Sequence, residues 1–229
     1  MAAMTLELVL FDVDDTLCDY AGARALRLRR AFATALATGG RLEQINIDTL
    51  VAESIAIHPH GTDHFPDLLT RYGVESPDAI ADARQWYQTN RFLGLALFND
   101  ALDILRFARA GGRAVGLSTN GPTDVQREKL DLLGLRAHVD FALISEELGI
   151  AKPDPAIFRE GLRLARVSAE HALFVGDSPE FDIAGARASG IRSVWVNRTG
   201  EAWSQPDPPP DHEVTDLASL RALLSDLSR

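Results

Sequence analysis

The chain has 229 residues, 46% of them hydrophobic and 24% charged, a composition typical of a globular protein rather than a disordered or fibrous one. Its formal net charge of -10 disfavours a nucleic-acid polymer as partner, so an anionic ligand needs local cations, helix N-termini or a metal ion to bind. A chain of this length is expected to form one α/β unit with an inserted subdomain.

Cysteine usage and hydropathy predict a cytoplasmic protein. Cys18 is the only cysteine, which excludes an intramolecular disulfide and is typical of a reducing compartment. The first residues lack the basic and apolar segments of a signal peptide, and no apolar run is long enough to span a bilayer. We therefore expect no membrane partner, and a monomer or homodimer.

Short apolar runs rich in β-formers predict five strands, and helical spacing separates the later ones. The runs are 6–11, 113–118, 141–144, 172–175 and 193–196. The helical stripes include Phe158, Leu162 and Ala165, then Ala101, Leu105 and Ala108, and finally Leu217, Leu220, Leu224 and Leu227. Alternation of this kind predicts a doubly wound, Rossmann-like and mostly parallel α/β sheet with helices on both faces.

An insertion interrupts this alternation after the first strand. About a hundred residues separate the first two predicted strands, where a simple crossover takes about thirty. Helical stripes inside that stretch, at 21–36, 65–72 and 78–91, predict a small helical cap over 18–95, with 1–17 and 96–229 forming the core. Near the other end, the proline-rich stretch 205–211 predicts an extended surface loop.

Three carboxylates follow the first predicted strand, within the segment DVDDT. They are Asp12, Asp14 and Asp15. Asp is common in turns and helix caps, but clustered carboxylates raise one another's pKa values unless a cation compensates. The cluster therefore favours a catalytic or metal-binding role, and oxygen ligands suit Mg²⁺.

Polar groups also follow the second and third predicted strands. Thr119 and Asn120, within STNGP, offer a hydroxyl, an amide and backbone N–H groups that could hold an oxyanion or simply cap a helix. Lys152 precedes a helix that is expected to begin near Pro155. It is either a solvated surface lysine or the cation that balances the acids, and the prolines around it favour the second role.

The segment GDSPEFD adds Asp177 and Asp182 after the fourth strand, although Asp182 could instead lie in the first turn of a helix. All four segments fall at the carboxyl ends of predicted parallel strands or in the loops beside them, where open α/β sheets bind ligands. Acids, a lysine, a hydroxyl and backbone donors together suit attack by a carboxylate on a metal-bound phosphoryl group.

In the order DVDDT, STN, KP and GDSPEFD, the chain resembles the haloacid-dehalogenase superfamily across its whole core. The resemblance implies a Mg²⁺-dependent phosphatase for a small phosphate ester, such as a nucleotide or sugar phosphate, with a phospho-aspartate on Asp12. It implies Asp14 as general acid and base. Thr119 and the backbone of Asn120 would hold phosphate oxygens, and Lys152 would neutralise the aspartyl-phosphate.

The same resemblance implies that Mg²⁺ binds Asp12, the backbone carbonyl of Asp14 and the side chain of Asp177. Asp182 would support this metal site or contact Lys152. The position of the insertion matches members with a helical cap of the first type. The stretches STNGPTDVQREKL and SEELGIAKPDPAIF are similar to pyrimidine nucleotidases and acylneuraminate phosphatases, which places nucleoside monophosphates first among substrates to test.

Four alternatives share part of this pattern. A dehalogenase uses the same fold and an Asp nucleophile, but does not need an acid at Asp14. A phosphomutase shares all four segments and differs only in where the phosphoryl group goes. A receiver domain would be shorter and would lack the cap and GDSPEFD, and a non-catalytic binding protein is expected to have lost an acid or the lysine.

Within the predicted cap, Arg24, Arg27 and His60 are candidates for substrate contact. Arginines on an amphipathic helix more often form its solvated face, and His60 lies in a Pro/Gly loop where plain exposure is the alternative. His58 and His64 lie close by in sequence, but the three histidines lack the helical register of a zinc site.

Overall fold

The computed structural model describes residues 5–41, 43–57 and 61–227. The chain forms two compact units, one drawn from Met1–Asp19 and Leu97–Arg229 and the other from Tyr20–Ala96. The first contains the sheet, and the described part of the second contains helices only. The predicted insert, 18–95, covers nearly the same stretch as the second unit, and its role as a cap stays a prediction.

A six-stranded parallel sheet is the centre of the first unit, in the order β3-β2-β1-β4-β5-β6. This confirms the predicted doubly wound α/β fold. The strands are β1 (Leu8–Phe11), β2 (Ala114–Thr119), β3 (Phe141–Ile144), β4 (Ala172–Gly176), β5 (Arg192–Val196) and β6 (His212–Val214). Strand β6 was not predicted from the sequence, because a three-residue edge strand that is only partly buried has no apolar run to reveal it.

The central strand, β1, is buried on both faces because helices cover the sheet on each side. Leu8 and Leu10 pack with Phe158 and Phe174 in one cluster, and the two phenylalanine rings lie 4.8 Å apart between centroids. Val9 and Phe11 point to the opposite face by strand alternation and are fully buried as well. This explains why the strand is a continuous apolar run rather than an alternating one.

Helices precede, connect and follow the strands β2 to β6 of the first unit. They are α5 (Ala101–Ala110), α6 (Thr123–Leu132), α7 (Ser145–Leu148), α8 (Pro155–Ala165), α9 (Ala184–Ala188) and α10 (Leu217–Asp226). The predicted start of a helix at Pro155 is confirmed, and the Asp154 side chain caps it by accepting from the Ala156 N–H at 2.9 Å.

The second unit packs its helices around an aromatic centre. They are α1 (Tyr20–Thr38), α2 (Ile47–Ile57), α3 (Phe65–Arg71) and α4 (Pro77–Thr89). Phe65 lies 4.8 Å from Phe32 and 5.8 Å from Tyr87 between ring centroids. Helix α2 was not predicted from the sequence. Among the described residues, no helix combines the length and hydropathy needed to cross a bilayer.

Strand register brings the predicted site segments to one edge of the sheet. Phe11 pairs with Leu117 on one side and with Val175 on the other, so the residues that follow the three strands emerge together. The Asp12 N–H donates to the Val175 carbonyl at 2.9 Å and extends this ladder by one residue. The carboxyl ends of β2, β1 and β4 therefore present their polar side chains side by side.

Close packing at Gly116 predicts a stability effect. A Cβ there would lie 2.5 Å from the Phe141 ring and 2.7 Å from Leu10. We expect Gly116→Ala to lower the free energy of unfolding by about 1–3 kcal/mol, measured by urea denaturation. Gly161→Ala is the control, because its Cβ would meet only side-chain ends at 2.9 Å or more and a gain of about 1 kcal/mol in helix propensity offsets that contact. Equal stability of Gly116→Ala and the wild type would contradict this packing.

Candidate active site

The loop after β1 places Asp12 and Asp14 at the sheet edge. The N–H groups of Leu17 and Cys18 both donate to the Val13 carbonyl, at 2.9 and 3.2 Å. Asp15 adopts a left-handed conformation with φ of 59°, which Asp tolerates better than most residues. This tight reversal holds the backbone immediately after the strand, so the two acids occupy fixed positions.

Lys152 lies between two buried carboxylates. Its ammonium donates to Asp12 Oδ1 and, at 2.7 Å, to Asp182 Oδ1. The three side chains are 8% exposed or less. The alternative of a solvated surface lysine is therefore wrong, because this lysine is the internal cation of an acidic cluster.

Asp182 reaches Lys152 from a π-helical turn, Pro179–Ile183. Its Oδ2 accepts from the Ser178 N–H at 3.0 Å, while Oδ1 binds the lysine. Gly176 makes room for this carboxylate, because a Cβ there would lie 2.3 Å from Asp182 Oδ2. Asp182 does lie in the first helical turn after the strand, as the alternative interpretation expected. Its side chain, however, points inward and is only 1% exposed.

Asn120 fixes the backbone that carries Lys152. Its amide donates to the Lys152 carbonyl and accepts from the Lys152 N–H, both at 2.9 Å. The Asn120 carbonyl in turn accepts from Gln126 Nε2 at 2.9 Å. Thr119 is 1% exposed at the end of β2. The Asn120 side chain and backbone carbonyl thus bind the protein, so the predicted phosphate contact concerns the backbone N–H.

Carboxylate oxygens of Asp12, Asp177 and Asp182 lie within 4.8 Å of one another, a grouping that could hold a metal ion. Asp177 also accepts from Thr16 Oγ1 at 3.3 Å, and its backbone carbonyl accepts from Trp195 Nε1 at 2.7 Å. Oxygen-only donors fit a hard cation such as Mg²⁺. The Asp14 side chain lies outside this group, and the predicted use of its backbone carbonyl stays a prediction.

Burial sets the charge state of this group. Burial, with further contributions from Asp12 and Asp182, raises the pKa of Asp177 to about 9. Burial also raises the pKa of Asp12, against the opposing effect of Lys152. Burial alone would lower the pKa of Lys152, but Asp12 and Asp182 outweigh it and raise the value. Three carboxylates around one ammonium carry excess negative charge, which a proton or a bound cation must balance.

Asp14 is held by a lysine that the sequence analysis missed. Lys129 Nζ lies 2.7 Å from Asp14 Oδ1 and 2.6 Å from Oδ2. A signal was present in the sequence: Gln126, Lys129 and Leu130 recur at helical spacing, so two polar residues share the buried stripe of α6.

In the second unit, Arg24 and Arg27 lie on the buried face of α1, at 3% and 2% exposure. The alternative of a solvated helix face is therefore wrong. The Arg27 guanidinium lies 5.4 Å from the Tyr20 ring and 5.6 Å from the Tyr87 ring. Its Nε and Nη1 have no hydrogen-bond partner among the described residues. His60 lies outside the described residues.

A family model of haloacid dehalogenase-like hydrolases matches residues 6–190. The chain belongs to this family. The family predicted from DVDDT, STN, KP and GDSPEFD is thus confirmed, and the four segments are those that meet at the sheet edge.

Named relatives include two phosphatases. Glyceraldehyde 3-phosphate phosphatase of Methanopyrus kandleri is 32% identical over 98% of this chain and 99% of its own length. Phosphoserine phosphatase of Thermus thermophilus is 47% identical over 124 residues, a match that spans 54% of this chain and 49% of that protein.

A solved structure, 2-haloacid dehalogenase from Pseudomonas syringae pv. tomato, is 32% identical with a TM-score of 0.63. The match covers 97% of this chain and 99% of that one. The fold is therefore shared between phosphatases and a dehalogenase, and the site has to distinguish the two reactions.

The raised pKa of Asp177 predicts a pH-dependent metal effect on stability. Between about pH 4 and about pH 9 the folded state retains a proton that the unfolded state has lost, so the free energy of unfolding decreases as pH rises in that window. A Mg²⁺ ion held by the Asp177 carboxylate would compete with that proton. We expect the Mg²⁺-induced increase in Tm, measured against EDTA, to grow between about pH 6 and about pH 8.

Asp177→Asn should lose most of this increase, whereas Asp103→Asn on the exposed side of α5 should retain it. An equal Mg²⁺ effect at both pH values, or one preserved in Asp177→Asn, would contradict the assignment.

Proposed function

We propose that the chain is a Mg²⁺-dependent phosphatase that transfers the phosphoryl group of a small ester first to Asp12 and then to water. The named relatives support hydrolysis of a small phosphate ester, in agreement with the sequence analysis. The observation that carries the covalent route is the Asp12 carboxylate, fixed at the sheet edge by Lys152 and followed two residues later by a second acid, Asp14.

In the first step a carboxylate oxygen of Asp12 attacks phosphorus, and the bond between phosphorus and the ester oxygen breaks. Protonated Asp14 gives its proton to the departing alcohol oxygen. In the second step the Asp14 carboxylate takes a proton from water, whose oxygen attacks phosphorus. The bond from phosphorus to Asp12 then breaks, inorganic phosphate leaves, and both acids return to their starting states.

Lys152 orients Asp12 for this attack and offsets the charge of the phosphoryl group. The hydroxyl of Thr119 and the backbone N–H of Asn120 would bind phosphoryl oxygens at the end of β2. Asp12, Asp177, the backbone carbonyl of Asp14 and the neighbouring Asp182 are the residues that would hold Mg²⁺. When bound, Mg²⁺ acts as a Lewis acid on the phosphoryl oxygens.

The substrate is proposed from the relatives as well as from the core. Phosphoserine and glyceraldehyde 3-phosphate, named for the two relatives, are both three-carbon phosphate monoesters. The core resemblance placed nucleoside monophosphates first. We now place three-carbon esters before nucleotides and sugar phosphates in a substrate panel.

A dehalogenase is the second candidate, favoured by the solved structure that is 32% identical. Asp14 favours the phosphatase, because an alkoxide leaving group needs a proton and a halide does not. Halide release from 2-haloacids at a rate comparable with phosphate release from the best ester would support the dehalogenase instead.

The nucleophile assignment predicts the behaviour of Asp12→Asn. The amide is a far weaker nucleophile, so we expect phosphate release to fall by about four orders of magnitude or more, to background, for every ester tested. Phosphate release from p-nitrophenyl phosphate is the measurement. Asp154→Asn is the control, since this exposed cap of α8 should retain activity. Turnover by Asp12→Asn within tenfold of the wild type would show that Asp12 is not the nucleophile.

Specificity is proposed to depend on Arg24 and Arg27. For Arg27 the guanidinium is buried, and its Nε and Nη1 have no hydrogen-bond partner among the described residues, which favours a polar ligand over a purely structural role. We expect Arg27→Met to lower kcat/KM for the best natural ester by about tenfold or more, with less than a threefold change for p-nitrophenyl phosphate.

The exposed Arg30 on the same helix provides the control, and Arg30→Met should change neither value. A parallel loss for both substrates in Arg27→Met, or no loss for either, would contradict a role in specificity.

A further inference from the structure

The ion pair between Lys129 and Asp14 is unusual for its burial. The Lys129 side chain is 2% exposed and that of Asp14 is 22% exposed. Both Asp14 oxygens lie within hydrogen-bond distance of the same ammonium. Asp14 Oδ1 also accepts from Cys18 Sγ at 3.6 Å. The carboxylate that the reaction uses as acid and base is therefore restrained on both oxygens.

Stability alone does not explain this pair. Replacing a buried ion pair by apolar residues of similar size is often neutral or stabilising, so a lysine on the buried stripe of α6 is weak evidence of a structural role. The same stripe carries Gln126, which binds the Asn120 carbonyl at 2.9 Å. Helix α6 thus touches two parts of the site, the loop after β2 and the acid after β1.

We propose that Lys129 is a positioning residue that sets the location and rotamer of Asp14 for proton transfer. The inference rests on the proposed function, because it assumes that Asp14 is the general acid and base. An unrestrained Asp side chain samples several rotamers, whereas contact of both oxygens with one ammonium selects a single one. Proton transfer depends on this geometry, and displacement of a reacting group by about 1 Å lowers rates by about a hundredfold.

This role predicts a dependence on the leaving group. An alkyl phosphate leaves as a strongly basic alkoxide and needs the proton of Asp14, whereas 2,4-dinitrophenyl phosphate leaves as a stable phenolate and does not. The alcohol or phenol is released in the first step, in which the phosphoryl group is transferred to Asp12. For both esters, kcat/KM therefore reports on that first step. The ratio of the two kcat/KM values therefore measures proton donation and is insensitive to a general loss of folded protein.

The experiment compares this ratio in the wild type, Lys129→Met, Asp14→Asn and the double variant. We expect Lys129→Met to lower the ratio of alkyl to dinitrophenyl kcat/KM by about tenfold or more, and Asp14→Asn to lower it at least as far. In the Asp14→Asn background, Lys129→Met should cause no further decrease, because the lysine acts through that acid. Arg127→Met, which removes an exposed cation of α6 paired with Glu147, should leave the ratio unchanged.

The inference is overturned if Lys129→Met lowers both kcat/KM values equally, leaves the ratio unchanged, or lowers it further in the Asp14→Asn background. If Lys129→Met does not fold, as judged by circular dichroism, Lys129→Gln replaces it in the same cycle, with the same expected decrease. If Asp14→Asn itself leaves the ratio unchanged, the acid–base assignment of Asp14 fails and the inference fails with it. If Asp14→Asn lowers the ratio as expected but Lys129→Met does not, the positioning role of Lys129 is overturned and the acid–base assignment of Asp14 is retained.

Discussion

The candidate active site depends on an imbalance of charge, because its buried carboxylates outnumber the ammonium groups that neutralise them. Asp12, Asp177 and Asp182 are gathered within 4.8 Å, and Lys152 is the ammonium that binds two of them. Burial makes this arrangement costly, as the raised pKa of Asp177 shows. The same excess charge makes the site receptive to a cation and, once the cation is bound, to an anionic phosphoryl group.

The parallel sheet brings these carboxylates and the lysine together. Neighbouring strands in register deliver the segments after β1, β2 and β4 to one edge, although more than a hundred residues of sequence separate some of them. Local devices then complete the placement: Asn120 fixes the Lys152 backbone by two hydrogen bonds, and Gly176 leaves space for Asp182. Each device restricts a side chain that the proposed reaction needs in one position, as preorganised catalysis requires.

Features that depend on hydrophobic periodicity, or that lie at the ends of strands, could be predicted from the sequence. The five strong strands and the four polar segments were visible because buried parallel strands are continuous apolar runs and their carboxyl ends carry the site. Two elements, β6 and α2, were missed, since a short edge strand and a helix within a long insertion give weaker signals. The buried state of Arg24 and Arg27 was also missed, because arginine is solvated in most helices and only tertiary packing reveals the exception.

Lys129 shows a different limit of sequence analysis. Its i, i+3 spacing from Gln126 is compatible with a place on the buried stripe, but spacing cannot show that its partner, Asp14, is 115 residues away in sequence. Contacts of this kind depend on where a loop and a helix meet in space. The sequence therefore identified the acids of the proposed reaction, and the structure was required to identify what holds one of them in place.

The central claim, a covalent phosphoryl group on Asp12, is tested most directly by trapping it. The enzyme is mixed with Mg²⁺ and a small phosphate ester, quenched in acid during turnover, and reduced with borohydride, which converts an aspartyl-phosphate to homoserine. Peptide mass spectrometry then locates the reduced residue. The account predicts homoserine at residue 12 in samples with both Mg²⁺ and ester, and none when either is omitted. Reduction at another acid, or phosphate release with no reducible intermediate at any residue, would contradict it.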